Sequence, residues 1–164
     1  MHISATVHYD ADMAEVTSML VDTAFVEAKV RASGALAQDV AIVGAADRAF
    51  TVTTRRQVPT TDIPAQLRTL VGSSLEVRQV EAWEPPDDGD ERRGTIVVEI
   101  VGVPVRLTGT LRLVGDGGST TAHIDGELRA SVPLFATIVE DATADAVRAG
   151  LAAEEGAAAV WRPR

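Results

Sequence analysis

Polar side chains that could act on a small molecule recur at alternate positions in two predicted strands. Thr54 and Arg56 lie two residues apart in the first of these strands. Gln79 and Glu81 lie two residues apart in the second. Because successive side chains of a strand point to opposite faces, each pair shares one face. Such a set could orient a ligand, and Glu81 could act as a general acid or base while Arg56 stabilises an anion.

The pairing of neighbouring strands decides whether these residues face the interior. With the apolar face of each strand turned inward, Glu81 is expected between Val52 and Val98, and all four polar residues face inward. The same rule predicts these opposed pairs: Ile42 with Phe50, Phe50 with Trp83, Trp83 with Ile96, Val98 with Leu107, and Leu111 with Ile124. The outward face then carries Thr51, Thr53, Arg55, Glu76, Arg78, Glu99, Arg106, Arg112, His123, Asp125, Glu127 and Arg129.

A second interpretation of the four polar residues remains open at this point. An unpaired carboxylate in an apolar interior is costly. A β-bulge near Val80 would turn the strand over, placing Val80 and Ala82 inside and Glu81 in water. Arg56 could then lie at the end of the sheet and extend its charge into solvent.

Other kinds of reactive site find little support. The chain has no cysteine, which excludes disulfides, thiolate metal sites and a thiol nucleophile. His123 and Asp125 share a strand face, but it is the predicted solvent face, so we expect no metal or other cofactor. Residues 115–118, Gly-Asp-Gly-Gly, lack the Gly-Lys-Ser/Thr ending of a phosphate loop and predict a hairpin turn.

Amino-acid composition and net charge indicate which kinds of binding partner the protein does not have. The formal charge is −9 and the sequence pI is about 4.7, which argues against nucleic acid and against anionic membrane surfaces. No signal peptide or membrane-spanning run is recognisable, so we expect a cytoplasmic protein without stable membrane insertion. With 164 residues, 46% of them hydrophobic, the chain is expected to form one domain over residues 1–164.

Most of the secondary-structure elements predicted from the sequence are strands, and two of these strands carry the polar residues. The predicted strands are His2–Tyr9, Val40–Gly44, Ala49–Val58, Leu75–Trp83, Thr95–Val101, Val105–Val114 and Thr120–Val132. Two short helices follow the first strand: one capped by Asp10, the other from about Thr23 to Ser33. A third begins near residues 61–64, where Asp62 can cap it, and residues 84–94 predict an exposed loop. Helices segregated from antiparallel strands predict an α+β class.

A long helix is predicted from Pro133 to Trp161. Its expected buried line is Phe135, Ile138, Ala142, Ala146, Ala149, Ala153 and Ala157. Glu140, Asp141, Asp145, Glu154 and Glu155 are expected in solvent. The small residues allow two outcomes: close packing of helix on sheet, or an open cavity between them.

This order of elements resembles the START-like superfamily, also called SRPBCC or helix-grip and typified by the birch-pollen allergen. In that fold a curved antiparallel sheet of about seven strands wraps around a long C-terminal helix, with two short helices after the first strand. Residues 62–67 (Asp-Ile-Pro-Ala-Gln-Leu), 70–72 (Leu-Val-Gly), Trp83 and 132–134 (Val-Pro-Leu) resemble an actinobacterial family of unknown function within it. The resemblance implies a cavity for lipids or other apolar molecules, and it supplies no catalytic residues.

Three functions follow from these expectations. The favoured one is a module that binds a small hydrophobic molecule in a cavity of a few hundred Å³ or more. The residues predicted to contact it are Thr54, Arg56, Gln79, Glu81, Val98, Leu107, Leu111, Phe135, Ile138 and Ala142. The alternatives are a cyclase-, dehydratase- or hydrolase-like enzyme that uses Glu81, and an interaction or regulatory module that forms a homodimer.

Overall fold

A seven-stranded antiparallel sheet forms the body of the computed structural model, which describes residues 1–61 and 63–162. In chain order the elements are β1 His2–Tyr9, α1 Met13–Leu20, α2 Thr23–Ala32, β2 Ala37–Gly44, β3 Phe50–Pro59, α3 Ala65–Val71, β4 Ser74–Trp83, β5 Glu91–Ile100, β6 Val105–Asp116, β7 Ser119–Ala130 and α4 Ala136–Val160. The strand order is β1-β7-β6-β5-β4-β3-β2, and α4 contacts α2, β1 and β7. The predicted α+β helix-grip class is confirmed.

Strand pairing confirms most of the predicted register and excludes the bulge. Phe50 lies opposite Trp83, Val98 opposite Leu107, and Leu111 opposite Ile124. Pairing of β3 with β4 is continuous from Phe50 and Trp83 to Pro59 and Ser74. Glu81 is 8% exposed, so its side chain faces inward and the bulged alternative is wrong.

Two predicted pairs are wrong by two residues, and in both a glycine takes the place opposite the aromatic residue. Ile42 pairs with Val52 because Gly44 takes the place opposite Phe50. Trp83 pairs with Gly94, where a Cβ would lie 3.0 Å from the indole ring. A two-residue shift keeps every side chain on its predicted face. Glu81 therefore remains inside, between Val52 and Ile96 rather than Val98.

The shifted pairing also lengthens β5 and changes the predicted loop. Residues 91–94, expected in the exposed loop, belong to β5. Arg92 holds this end in place, since its guanidinium donates to the backbone oxygens of Glu84, Ala46 and Arg48. The loop is thereby reduced to residues 84–90.

The short helices begin near their predicted positions, but the residue that caps α1 differs from the prediction. The cap of α1 is Asp12, not Asp10, and its Oδ1 accepts a hydrogen bond from the Glu15 N–H at 2.9 Å. Asp22 caps α2 in the same way through the Ala24 N–H. The predicted cap Asp62 lies outside the described residues, and α3 starts after Pro64.

The buried face of α4 differs from the predicted line of alanines. Val139 and Ala144 are buried, and Val147 and Leu151 pack against the core, whereas Ile138 is 38% exposed. Burial of larger aliphatic side chains removes more apolar area from water, so Val139, Val147 and Leu151 rather than the predicted line of alanines orient the helix. This rotation also turns Glu154, which we had expected in solvent, toward the sheet.

The outer face of the sheet carries the predicted charged residues in cross-strand pairs. The closest pairs that involve arginine join Arg106 with Glu99 at 3.1 Å and Arg112 with Glu91 at 3.3 Å. Pairs of this exposed kind contribute about 0–1 kcal/mol each, so they define the solvent side more than they stabilise it. Within the described ranges, no helix is long and apolar enough to cross a membrane.

Close approach of β6 and β7 depends on two facing glycines, Gly109 and Gly126. A Cβ on Gly126 would lie 2.6 Å from the Thr108 carbonyl oxygen and 3.1 Å from Cδ1 of Leu107. We predict that Gly126→Ala lowers the free energy of unfolding by about 1–3 kcal/mol, because the backbone must shift. Urea denaturation measures the change.

The matched control for this substitution is Gly118→Ala in the β6–β7 turn. A Cβ there meets nothing within 4 Å. We expect a change within about 0.5 kcal/mol. Equal effects of the two substitutions would contradict the close-approach explanation.

Candidate functional site

A partly enclosed cavity of about 90 Å³ lies between the inner face of the sheet, α2 and α4. Its apolar wall includes Ile96, Val98, Leu107, Leu111 and Ile124 from β5, β6 and β7. The alternation of these strands turns their aliphatic side chains inward. On the helix side the wall includes Ala146 and Gly150, which leave the space unfilled.

Polar groups from five elements line the same cavity. They are Tyr9 of β1, Lys29 of α2, Thr54 and Arg56 of β3, Gln79 and Glu81 of β4, and Glu154 of α4. An apolar cavity with a few converging polar groups is the usual composition of a small-molecule site.

Lys29 is the central cation of this group and is only 6% exposed. Its Nζ donates to Oε1 of Glu154 at 2.6 Å and lies 3.9 Å from Oε1 of Glu81. The lysine therefore joins α2 to both α4 and β4. A buried charge of this kind is tolerated because it is paired on both sides.

Besides its ion pair with Lys29, the Glu81 carboxylate accepts two hydrogen bonds. Gln79 Nε2 donates to its Oε1 at 2.7 Å, and Trp83 Nε1 donates to its Oε2 at 3.3 Å. Both donors lie two residues away on the same strand face. The carboxylate is thus fixed in orientation at the wall of the cavity.

Arg56 and Thr54 are less fully bonded. Arg56 donates one hydrogen bond, from Nη2 to Gln79 Oε1 at 3.3 Å. Thr54 is 3% exposed, and its hydroxyl has no hydrogen-bond partner among the described residues. A buried hydroxyl without a partner costs about 1–3 kcal/mol, so this part of the cavity has unused donor capacity.

Burial and the two carboxylates shift the pKa values of three cavity groups. Burial, followed by the negative charges of Glu154 and Glu81, raises the pKa of the Tyr9 hydroxyl well above its ordinary value. Burial alone lowers the pKa of Lys29, but Glu154 and Glu81 outweigh it and the pKa is raised. Burial lowers the pKa of Arg56, and the same two carboxylates oppose this shift only in part.

Most residues predicted to contact a ligand do line the cavity, and three do not. Those that line it are Thr54, Arg56, Gln79, Glu81, Val98, Leu107 and Leu111. Phe135 instead packs in a second apolar cluster with Val139. Ile138 is partly exposed, and Ala142 lies outside the cavity wall because α4 is rotated from its predicted orientation.

Sequence reasoning missed Tyr9, Lys29 and Glu154. A signal was present for Lys29, because it continues the apolar stripe of α2 formed by Phe25, Val26 and Val30. Glu154 likewise follows Val147 and Leu151 at helical spacing. A charged residue on an apolar stripe indicates a buried partner, although it does not identify that partner.

The histidines are placed away from the cavity. His2 Nε2 lies 3.2 Å from Oδ1 of Asp125 on the outer face of the sheet. Across the part of the chain that the structure describes, no three His, Asp or Glu side chains are arranged to hold a metal ion.

Comparisons with known proteins identify the fold and a family. A family model described as "Protein of unknown function (DUF2505)" matches residues 4–161. A search of curated protein sequences finds no match.

Solved structures of three proteins share the architecture at 16% sequence identity. The protein TTHA0849 from Thermus thermophilus aligns over 96% of this chain and 97% of its own, with a TM-score of 0.63. A START superfamily protein from Mycobacterium smegmatis aligns over 94% of each chain with a TM-score of 0.57. The Zhui aromatase/cyclase from Streptomyces sp. R1128 aligns over 96% of this chain and 93% of its own, with a TM-score of 0.56. The likeness establishes a START-like fold.

Removal of the central cation is predicted to destabilise the fold. Lys29→Met would leave Glu81 and Glu154 facing the interior without their cation, so we expect a loss of about 3–5 kcal/mol in the free energy of unfolding. Arg31→Met, on the exposed side of the same helix, should change it by about 0.5 kcal/mol or less. Urea denaturation compares the two variants, and similar losses would contradict the role of Lys29.

Tyr9 provides an optical test of burial, since it is the only tyrosine in the chain. In the unfolded chain the hydroxyl ionises near its ordinary pKa of 10.0, whereas in the folded protein it stays protonated beyond that pH. The folded state then binds more protons, and the free energy of unfolding should fall as pH rises above about 10. The raised pKa of Lys29 acts in the same direction.

We therefore expect tyrosinate absorbance to appear only together with loss of the circular dichroism signal. Absorbance that grows near the ordinary tyrosine pKa while the fold remains intact would contradict the burial of Tyr9.

Proposed function

Because the chain belongs to the family described as a protein of unknown function (DUF2505), which assigns no activity, we propose its function from the cavity: it binds a small, mainly apolar molecule that carries a polar end. The observation that carries this proposal is the unpartnered hydroxyl of Thr54, buried at the wall of an otherwise apolar cavity. A ligand polar group would supply the missing hydrogen bond.

The distribution of the lining residues supports a ligand with two unlike ends. Lys29, Arg56, Gln79 and Glu81 supply polar contacts from α2, β3 and β4. The strands β5, β6 and β7 supply aliphatic contacts. This arrangement fixes the orientation of a molecule whose polar and apolar parts are distinct.

The volume of the cavity limits the size of such a ligand. At about 90 Å³ it is smaller than the few hundred Å³ expected from the sequence and than the roughly 300–1,000 Å³ of typical ligand sites. The protein as it stands accommodates a compact molecule. A larger ligand would have to displace α2 or α4, the two helices that the contact between Lys29 and Glu154 joins.

Acid–base catalysis is a second candidate because Glu81 is buried beside the cavity and Arg56 lies near it. Glu81, however, already accepts hydrogen bonds from Gln79 and Trp83 and faces Lys29. These contacts hold the carboxylate as a structural acceptor, so binding is the better supported function. An interaction module that forms a homodimer and a cytoplasmic location remain predictions from the sequence.

Native mass spectrometry of freshly purified protein tests the proposal directly. We expect excess mass that disappears on denaturation, and that mass identifies the bound molecule. A compound that binds should also raise the melting temperature by mass action. If the protein carries no extra mass and no apolar compound shifts its melting temperature, the proposal is wrong.

A cavity-filling variant separates binding from folding. Gly150 lines the cavity, and a Cβ there meets nothing within 4 Å. Gly150→Leu should fill the space and abolish binding, while removal of a helical glycine stabilises the protein by up to about 1 kcal/mol. Binding is measured by native mass spectrometry and stability by thermal unfolding.

Gly156→Leu is the matched control on the same helix. Gly156 is exposed and lies outside the cavity wall, and a Cβ there also meets nothing within 4 Å. This variant should gain similar stability and retain binding. Binding that survives Gly150→Leu unchanged would place the ligand elsewhere.

A further inference from the structure

The polar end of the cavity has unused hydrogen-bond donors, whereas its carboxylates already accept hydrogen bonds from other side chains. Glu81 already accepts from Gln79 and Trp83, and Glu154 accepts from Lys29. The guanidinium of Arg56 has five N–H donors, and among the described residues one of them makes a bond, at 3.3 Å, to the neutral amide of Gln79. The hydroxyl of Thr54 adds another open position.

Arg56 is also the cavity cation that has no carboxylate in direct contact among the described residues. Lys29 has carboxylate oxygens at 2.6 Å and 3.9 Å. Within the described ranges, no carboxylate lies within 4 Å of the Arg56 guanidinium, although its outward neighbour Arg55 pairs with Glu76 at 3.7 Å. Glu154 and Glu81 act on Arg56 only from more than 4 Å away and offset its burial only in part, so the guanidinium can still gain from a negative group in direct contact.

Thr54 and Arg56 are positioned to bind that group together. They lie on one face of β3 with Cα atoms about 7 Å apart along the strand, and Thr54 lies opposite Gln79. A guanidinium binds the two oxygens of a carboxylate with two parallel N–H donors. A hydroxyl on the same face can donate to one of those oxygens.

We propose that the polar end of the cavity binds the carboxylate of a small apolar monocarboxylic acid, with Arg56 as the anchoring cation and Thr54 as the second donor. The inference rests on the proposed function and names its ligand class. The hydrocarbon part of the acid lies against Val98, Leu107 and Leu111, the aliphatic wall. The small cavity restricts the acid to a short chain.

Isothermal titration calorimetry with hexanoate and hexanamide tests this inference. The two probes have the same chain and nearly the same head-group shape, but only hexanoate carries a charge. Hydrogen bonds to charged groups are the stronger class, so the wild-type protein should bind hexanoate at least about tenfold more tightly. Equal affinities would overturn the carboxylate inference and leave the proposed function standing. No binding of either probe would also overturn the carboxylate inference, whereas the proposed function is decided separately by native mass spectrometry and the melting temperature.

Variants at neighbouring positions of β3 identify the anchor. Arg56→Met should weaken hexanoate binding by about tenfold or more and leave hexanamide within about twofold. Arg55→Met, one residue away on the outer face, should leave both affinities unchanged. Thr54→Val keeps the side-chain shape and removes the hydroxyl, so it should weaken hexanoate binding several-fold with the fold retained. If hexanoate affinity is the same in Arg56→Met and Thr54→Val as in wild type, the proposed anchor is wrong.

Discussion

The pairing of Lys29 with two carboxylates is the interaction on which the interior of this protein depends. The lysine belongs to α2, Glu81 to the inner face of β4, and Glu154 to α4. Because a buried charge without its partner is strongly destabilising, these three elements must keep their relative positions for the fold to persist. The aromatic contact between Phe25 of α2 and Trp161, with ring centroids 5.5 Å apart, adds a second connection between the helices.

The same pairing determines the chemistry that the cavity offers to a ligand. Lys29, Gln79 and Trp83 occupy the carboxylates, and this leaves the guanidinium of Arg56 and the hydroxyl of Thr54 as the open donors. The aliphatic residues of β5 to β7 provide the other end. Since α4 presents small residues to this space, the helix can cover the sheet without filling the gap beneath it.

The inner face of the sheet could be predicted because strand alternation is a local property. Apolar residues at alternate positions of the strands favour an inward direction for Thr54, Arg56, Gln79 and Glu81. The same residues also allowed a bulge near Val80, which only the continuous pairing of β3 with β4 excludes. Alternation could not specify the two registers that were wrong, since a shift by two residues preserves every face. Those registers depend on the close approach of Phe50 to Gly44 and of Trp83 to Gly94, where a Cβ would lie 3.0 Å or less from the facing residue.

The order of elements and the α+β class were thus determined by the sequence itself, and the resemblance carried by that order indicated the helix-grip fold. The tertiary structure decided that Glu81 lies inside, because β3 and β4 pair without a bulge. The tertiary structure alone decided which helix face is buried and which partners the polar residues have. In an alanine-rich helix the apolar stripe is broad, so contacts with α2, β1 and β7 select the rotation that brings Glu154 inside. Lys29 and Glu154 are separated by 125 positions, and their contact arises only when the sheet brings the two helices together.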